Sequence, residues 1–309
     1  MKKFILILLM SIIISPVCFA SDNYIAYAGK SVKNAKQENQ ILEKEVKALF
    51  KRLLVYTNNY DKEKLESLYA KNYLSADGFD KKMYFDLIGK TWNLYPDIRY
   101  IINIDRIVIV GNTAIVYTSE RADATTTEKI EETEIKGYLT SYSDNIYYLE
   151  KNGDNWFITS DNCISEKTTL TYGEANEIRM DLIVPQLVSA GKEYTASLKV
   201  SVPDKKMLAI ASIGQEKITY PHVNAQEIFR KLPESGILER IFKANKENLN
   251  EYTVGAVGIT RAQVNQKKEI KLVVTGLGYV ITRTNIIPTK DFSKVKENGK
   301  KETTAKLVE

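Results

Sequence analysis

The sequence predicts two folded segments: an α+β cone, in which three helices pack on a curved antiparallel sheet, followed by an all-β sandwich. Apolar residues recur every three or four positions up to about residue 95 and alternate with polar residues in the runs that follow. Turn sequences rich in glycine and asparagine separate these later runs. This order, with helices first and strands after them, is typical of an α+β domain.

Residues 1–20 have the pattern of an export signal. Two lysines precede an apolar run that ends at Ile14, and small residues follow at Cys18 and Ala20. As a helix this run would be about 17 Å long, too short for a hydrocarbon core of about 30 Å. We expect cleavage after Ala20 and a periplasmic or extracellular protein without a membrane span. A lipid on Cys18 or an uncleaved anchor are the alternatives.

The composition argues against several function classes. The formal net charge is +5, and basic residues alternate with acidic ones, so no nucleic-acid-binding patch is expected. After loss of the signal, Cys163 and His222 are the remaining cysteine and histidine. An internal disulfide is then impossible, and a zinc site or a catalytic triad lacks its usual residues. No metal and no cofactor are predicted.

The first segment, residues 35–166, begins with three predicted helices. Apolar residues within 42–56 recur every three or four positions, as on one face of a long amphipathic helix. Asp61 and Asp80 stand where the N-caps of a second and a third helix are expected. Pro96 then ends the third helix.

Four antiparallel strands are predicted after the helices, because apolar and polar residues alternate between turn sequences. The predicted strands are 99–110, 113–124, 134–151 and 156–165. A sheet of this kind can wrap around the long first helix, which completes the predicted cone.

Two runs in this segment carry a family resemblance. They are LESLYAKNYLSADGFDKKMYFDLIGKTW at 65–92 and PDIRYIINIDRIVIVGNTAIVYTSER at 96–121. With the order of elements, they resemble the nuclear transport factor 2 superfamily, which includes ketosteroid isomerase and polyketide cyclases. The resemblance implies a fold and not one activity, because this superfamily includes enzymes, binding modules and assembly domains.

The resemblance also implies a pocket inside the cone, with a carboxylate base and a tyrosine. Asp77 falls near the base position, and Tyr56 is loosely placed for the tyrosine role. Asp77 followed by Gly78 is also a standard turn dipeptide, and we favour this interpretation. No catalytic residue is assigned. The candidates for lining a pocket that takes a small apolar ligand are Tyr56, Asp77, Tyr100, Tyr148 and Trp156.

Tyrosines are concentrated on the third predicted strand. Tyr138, Tyr142 and Tyr148 share one of its faces by period-two alternation, and we expect them to line the cone. Exposed aromatic residues that bind sugars or a partner are the alternative.

A linker at residues 167–175 is predicted to lead into the second segment, 176–288. Six short alternating runs there predict a two-sheet sandwich. Glu251-Tyr252-Thr253-Val254 looks like the tyrosine corner of immunoglobulin-like domains, so this segment resembles bacterial immunoglobulin-like sandwiches. Residues 289–309 are rich in lysine and poor in apolar residues, which predicts a disordered tail.

These expectations favour an exported, non-catalytic binding or assembly protein of the bacterial envelope. Its expected partners are other envelope or extracellular proteins, and a homodimer through an open sheet face is compatible with the sequence. The alternative is a small-ligand-binding or isomerase-like protein that uses the cone pocket. Glycan binding through exposed aromatic residues is a third hypothesis.

Overall fold

A computed structural model describes five ranges of the 309-residue chain: residues 32–129, 135–203, 207–220, 228–264 and 270–288. The predicted export signal, the predicted tail and His222 lie outside the described residues.

Three helices form where the periodicity predicts them. They are α1 (Val32–Asn58), α2 (Lys62–Ser67) and α3 (Lys81–Leu94). The carboxylates of Asp61 and Asp80 accept hydrogen bonds from the backbone amides of Lys64 and Met83, which confirms both predicted N-caps. Within the described part of the chain, no helix is long and apolar enough to cross a membrane.

The described residues contain twelve strands. They are β1 (Arg99–Val110), β2 (Thr113–Lys129), β3 (Lys136–Asn152), β4 (Asn155–Gly173), β5 (Arg179–Ile183), β6 (Leu187–Ser189), β7 (Glu193–Ser201), β8 (Leu208–Lys217), β9 (Arg230–Lys231), β10 (Ile237–Lys243), β11 (Glu251–Val264) and β12 (Ile270–Ile287). β4 is longer than predicted, and the stretch expected to be a linker at 167–175 contains its end and the start of a 3₁₀ turn.

The predicted fold class, a three-helix cone followed by a separate sandwich, is wrong. Strands of both predicted segments form one nine-stranded sheet in the order β1-β2-β3-β4-β12-β11-β8-β9, with β6 beside β12. β10, β7 and β5 form a second, three-stranded sheet. The reason is the length of β4, which pairs with β3 on one side and, through residues 167–173, with β12 on the other. A single sheet therefore continues through both segments.

The helices cover one face of the large sheet, which we call the inner face. Leu49 of α1 and Phe85 of α3 belong to a buried cluster with Val116 and Leu149 of the sheet. A neighbouring cluster contains Tyr95, after α3, together with residues of β11 and β12. The helical part of the chain thus packs on strands from both predicted segments.

The three-stranded sheet covers part of the opposite, outer face. Leu198 of β7 and Phe242 of β10 share a buried cluster with Ile213, Val257 and Val280 of the large sheet. The second segment therefore buries a core between the three-stranded sheet and the large sheet. One of these sheets, however, is shared with the first segment.

Two facing glycines allow the close approach of β4 and β12. Gly173 has a φ of +54° and is paired with Gly276. A Cβ on Gly173 would collide with the carbonyl oxygen of Thr275, and one on Gly276 with the backbone nitrogen of Ala175. A side chain at either position would therefore disrupt the pairing of β4 with β12.

A buried ion pair also joins the two parts of the chain. The guanidinium of Arg283, on β12, donates to both carboxylate oxygens of Asp77 over 2.8 and 3.0 Å, and both side chains are almost fully buried. Asn250 donates to the same carboxylate over 2.9 Å, and Arg283 Nε donates to Asn285 over 2.7 Å. The charges are thus paired and hydrogen-bonded, as burial requires.

We expect Asp77→Asn to lower the free energy of unfolding by about 3–5 kcal/mol, because it leaves the buried Arg283 charge uncompensated. Urea denaturation monitored by circular dichroism measures the change. The matched control is Glu247→Gln in the exposed Lys217–Glu247 pair, which should cost at most about 1 kcal/mol. Equal effects of the two substitutions would contradict this expectation.

Candidate functional site

A small cavity, here called the inner cavity, lies between the helices and the inner face of β1–β3. Its volume is about 70 Å³. Its polar and aromatic lining residues are Thr57, Tyr69, Tyr84, Thr91, Trp92, Tyr100, Glu120, Asn145 and Tyr147. The space suffices for water but is far below the roughly 300 Å³ at which ordinary ligand pockets begin.

Glu120, on β2, is the acid of the inner cavity. Its Oε1 atom accepts hydrogen bonds from Thr118 Oγ1 and Tyr147 Oη, each over 2.8 Å. Burial raises the pKa of Glu120, while these hydrogen bonds act in the opposite direction. The carboxyl group of Glu120 thus binds its proton more tightly than an exposed glutamate does.

Two polar atoms beside Glu120 have no hydrogen-bond partner among the described residues. They are Oδ1 of Asn145, a buried residue, and Nε1 of Trp92. One is an acceptor and the other a donor, so together they offer two unused hydrogen-bonding positions at the inner cavity. Water or a very small polar molecule fits this arrangement.

A second buried acid, Asp161, lies next to a group of aromatic residues. Tyr73 donates to its Oδ1 over 2.9 Å, and Oδ2 has no partner among the described residues. Burial is the main reason that the pKa of Asp161 is raised to about 7. The nearby hydroxyls of Tyr69 and Tyr84 lie 2.9 Å apart and hydrogen-bond to each other.

A third buried acid, Glu166, links the two parts of the chain. Tyr252 donates to its Oε2 over 2.7 Å, and Thr168 donates to its Oε1 over 3.2 Å. Burial raises the pKa of Glu166 to about 8, although Tyr252 and the nearby Arg283 act in the opposite direction. The hydroxyl of Tyr252, predicted as a tyrosine corner, therefore bonds to a side chain of β4.

The structure separates the five predicted pocket residues. Only Tyr100 lines the inner cavity. Asp77 is held in the buried pair with Arg283, and Trp156 donates through Nε1 to Glu45 over 3.0 Å. Tyr56 packs against the helix-side cluster, and Tyr148 lies on the outer face of β3.

The tyrosines predicted to line the cone do share one strand face, but it is the outer face. Tyr138 and Tyr142 are 58% and 53% exposed, whereas Tyr147, one residue from Tyr148, is buried in the helix-side core. Period-two alternation identifies residues that share a face and does not say which face is covered.

Sequence reasoning missed Glu120. The signal was present, because Ala114, Val116, Thr118, Glu120 and Ala122 alternate along β2, and the small or apolar members of this series are buried. An acid at an inward position of a strand is a candidate for a functional group.

A larger concavity, here called the outer groove, lies on the outer face where β2, β3, β4 and β12 meet the segment between β5 and β6. Its volume is about 320 Å³. Side chains that line it on this face are those of Ser119, Tyr142, Asp144, Ser165, Lys167, Val184, Gln186 and Thr282. No group of three or more potential metal ligands occurs among the described residues.

No family model and no curated protein matches the chain. Among solved structures, Bd1075 of Bdellovibrio bacteriovorus is 19% identical with a TM-score of 0.33, and the match covers 43% of this chain and 42% of Bd1075. This chain thus aligns with less than half of that protein.

Two further neighbours are smaller proteins. A putative scytalone dehydratase from Novosphingobium aromaticivorans has 13% identity and a TM-score of 0.36, covering 41% of this chain and 86% of its own. A nuclear transport factor 2-like superfamily protein from Salmonella enterica serovar Typhimurium has 11% identity and a TM-score of 0.34, covering 40% and 91%.

Each of these two alignments covers about two fifths of this chain. Likeness at this level transfers no activity, substrate or partner to the chain. The immunoglobulin-like resemblance of the second segment stays a prediction.

We expect the free energy of unfolding to fall as pH rises from about 5 to about 8. The pKa values of Glu166 and Asp161 are about 8 and about 7 in the folded state, above the ordinary values of 4.5 and 3.8. The folded state therefore binds more protons than the unfolded state in this window, and its stability falls as these protons are lost. Urea denaturation at several pH values measures the slope.

In Glu166→Gln, the loss in the free energy of unfolding between about pH 5 and pH 8 should be smaller by on the order of a few kcal/mol. The uncharged amide replaces a carboxyl group that otherwise must ionise while buried. Glu150→Gln, at an exposed position of β3, is the control and should leave the slope unchanged. A wild-type stability that is constant or rises across this window would disprove the expectation.

Proposed function

We propose that this protein is an exported, non-catalytic binding protein of the bacterial envelope, and that it engages its partner through its surface. The observation that carries the proposal is the filled space beneath the helices. The inner cavity measures about 70 Å³, while the outer groove measures about 320 Å³. Of these two spaces, the groove on the outer face of the sheet is therefore the one large enough for recognition of a ligand.

The position of Asp77 supports the same proposal. An isomerase-like base needs a carboxylate that can reach the substrate. Both oxygens of Asp77 accept hydrogen bonds from buried Arg283, and Asn250 donates to one of them as well. A carboxylate held by three hydrogen bonds from buried partners is suited to a structural role.

The export signal predicted for residues 1–20 supports the proposed compartment. Within the envelope or outside the cell, a protein without an internal disulfide must rely on packing and hydrogen bonds. The hydrogen-bonded ion pair of Asp77 and Arg283 fits that requirement.

A second candidate function, a small-ligand or isomerase-like site, is favoured by one specific observation. Glu120 lies beside the unpaired atoms of Asn145 and Trp92 at the inner cavity. A carboxyl group whose pKa is raised by burial, with neighbouring donors and acceptors, is similar to the arrangement that polarises a carbonyl group. Its use would require the cavity to enlarge.

The two candidates are separated by assaying the mature chain with a panel of small ketones and enones, with proton exchange and isomerisation followed by NMR. We expect no turnover above the buffer blank. In parallel, the same protein should sediment saturably with the insoluble envelope fraction of its source bacterium, and Glu120→Gln should sediment equally well.

Turnover that disappears in Glu120→Gln and persists in Glu150→Gln would contradict the non-catalytic proposal and favour the second candidate. Absence of both turnover and saturable envelope binding would contradict both.

A further inference from the structure

We propose that the outer groove binds a short, uncharged oligosaccharide, with Tyr142 as the aromatic surface for a sugar ring. The inference rests on the proposed function and deepens it, because it names the chemistry of the envelope partner. Glu120 also borders the groove, but its side chain lies on the inner face of β2 and is not required for sugar binding.

Strand register brings the groove residues together. Ser119 on β2 is paired with Asp144 on β3, and Asp144 is paired with Ser165 on β4. Paired residues on antiparallel strands project on the same face of a sheet. These three residues therefore form one polar row across the outer face.

The next row is parallel to the first. Arg121 on β2 is paired with Tyr142 on β3, Tyr142 with Lys167 on β4, and Lys167 with Thr282 on β12. Since β12 belongs to the second segment, this row exists only because β4 joins the two segments. The segment between β5 and β6 borders the groove through Val184 and Gln186.

Tyr142 offers an exposed ring inside this concavity. The guanidinium of Arg121 lies 5.5 Å from the ring centroid and is itself paired with Asp123 over 2.8 Å. These contacts help to hold the ring in position. An exposed aromatic ring packs well on the C–H face of a sugar, because both surfaces are apolar and both are rigid.

The polar atoms around the ring suit hydroxyl groups. Asp144 accepts a hydrogen bond from Ser165 and retains further acceptor capacity. Gln186 donates to the carbonyl of Ile164 over 3.0 Å, which positions its amide at the border of the groove. Thr282 borders the groove too, but its Oγ1 is buried and has no hydrogen-bond partner among the described residues. Carboxylate, amide and hydroxyl groups together can both donate to and accept from a polyol.

The charges in the groove disfavour an anionic ligand. Lys167 is paired with Asp181, and Arg283 is paired with Asp77. Asp144 adds a carboxylate that bonds to a neutral hydroxyl. The positive charges are thus compensated, and a phosphate or a sulfated glycan would meet an acid instead of a free cation. A neutral sugar avoids this repulsion.

Isothermal titration calorimetry of the mature chain with cellotetraose, maltotetraose, chitotetraose and a galactan tetramer tests the proposal. We expect saturable binding of at least one of these probes. Tyr142→Ala should weaken this binding at least about tenfold, since an aromatic contact contributes on the order of one decade in affinity. Tyr142→Phe keeps the ring and should retain binding.

Tyr138→Ala is the matched control. Tyr138 lies on the same face of β3 and is 58% exposed, against 53% for Tyr142, but it does not line the groove. Its replacement should leave sugar binding unchanged, and circular dichroism should show that both alanine variants are folded.

The proposal is overturned if no sugar probe binds, or if Tyr142→Ala binds sugar as well as the wild type does. It is also overturned if the sugars fail to bind and the peptide Ala-Lys-Ala binds in a Tyr142-dependent manner, since the groove would then bind a peptide. If envelope sedimentation persists while all sugars fail, the saccharide assignment is wrong and the proposed function stands. If sedimentation is also absent and turnover is found, the proposed function itself is wrong.

Discussion

The buried pair between Asp77 and Arg283 is the constraint on which the rest of this structure depends. A charged side chain can be buried only when its charge is compensated and its hydrogen bonds are made. Here the arginine lies on β12 and the aspartate in the turn before α3, 206 positions apart in the chain. Burial of one therefore requires that the two predicted segments fold together. Asn250 and Asn285 complete the hydrogen bonding.

The same junction determines which parts of the large sheet are covered. Because β4 pairs with β12, one sheet runs through both segments. The helices cover its inner face, and the three-stranded sheet covers part of its outer face. The inner cavity that remains is small, and the outer groove lies beside the junction. Our proposals of surface recognition and of a sugar-binding groove both follow from this arrangement. The buried acids Glu166 and Asp161 add a pH dependence to the stability of the same region.

Much of the local structure could be predicted from sequence, because it depends on neighbouring residues. The caps at Asp61 and Asp80 and the alternation in β1–β3 are examples. The end of β4 was misjudged because the buried Thr168 is polar and hides the alternation with Leu170 and Tyr172. Partners such as Asp77 and Arg283 could not be predicted, since their contact depends on strand order. Which face of β3 is covered could not be predicted either, because it depends on where the helices pack.

The central claim is that both predicted segments form one cooperative unit through β4, β12 and the buried ion pair. Differential scanning calorimetry of the protein tests it most directly. We predict a single transition whose calorimetric enthalpy equals its van't Hoff enthalpy, as expected when no part of the chain unfolds independently. Two resolved transitions, or a calorimetric enthalpy well above the van't Hoff value, would show that the segments unfold separately and would contradict the claim.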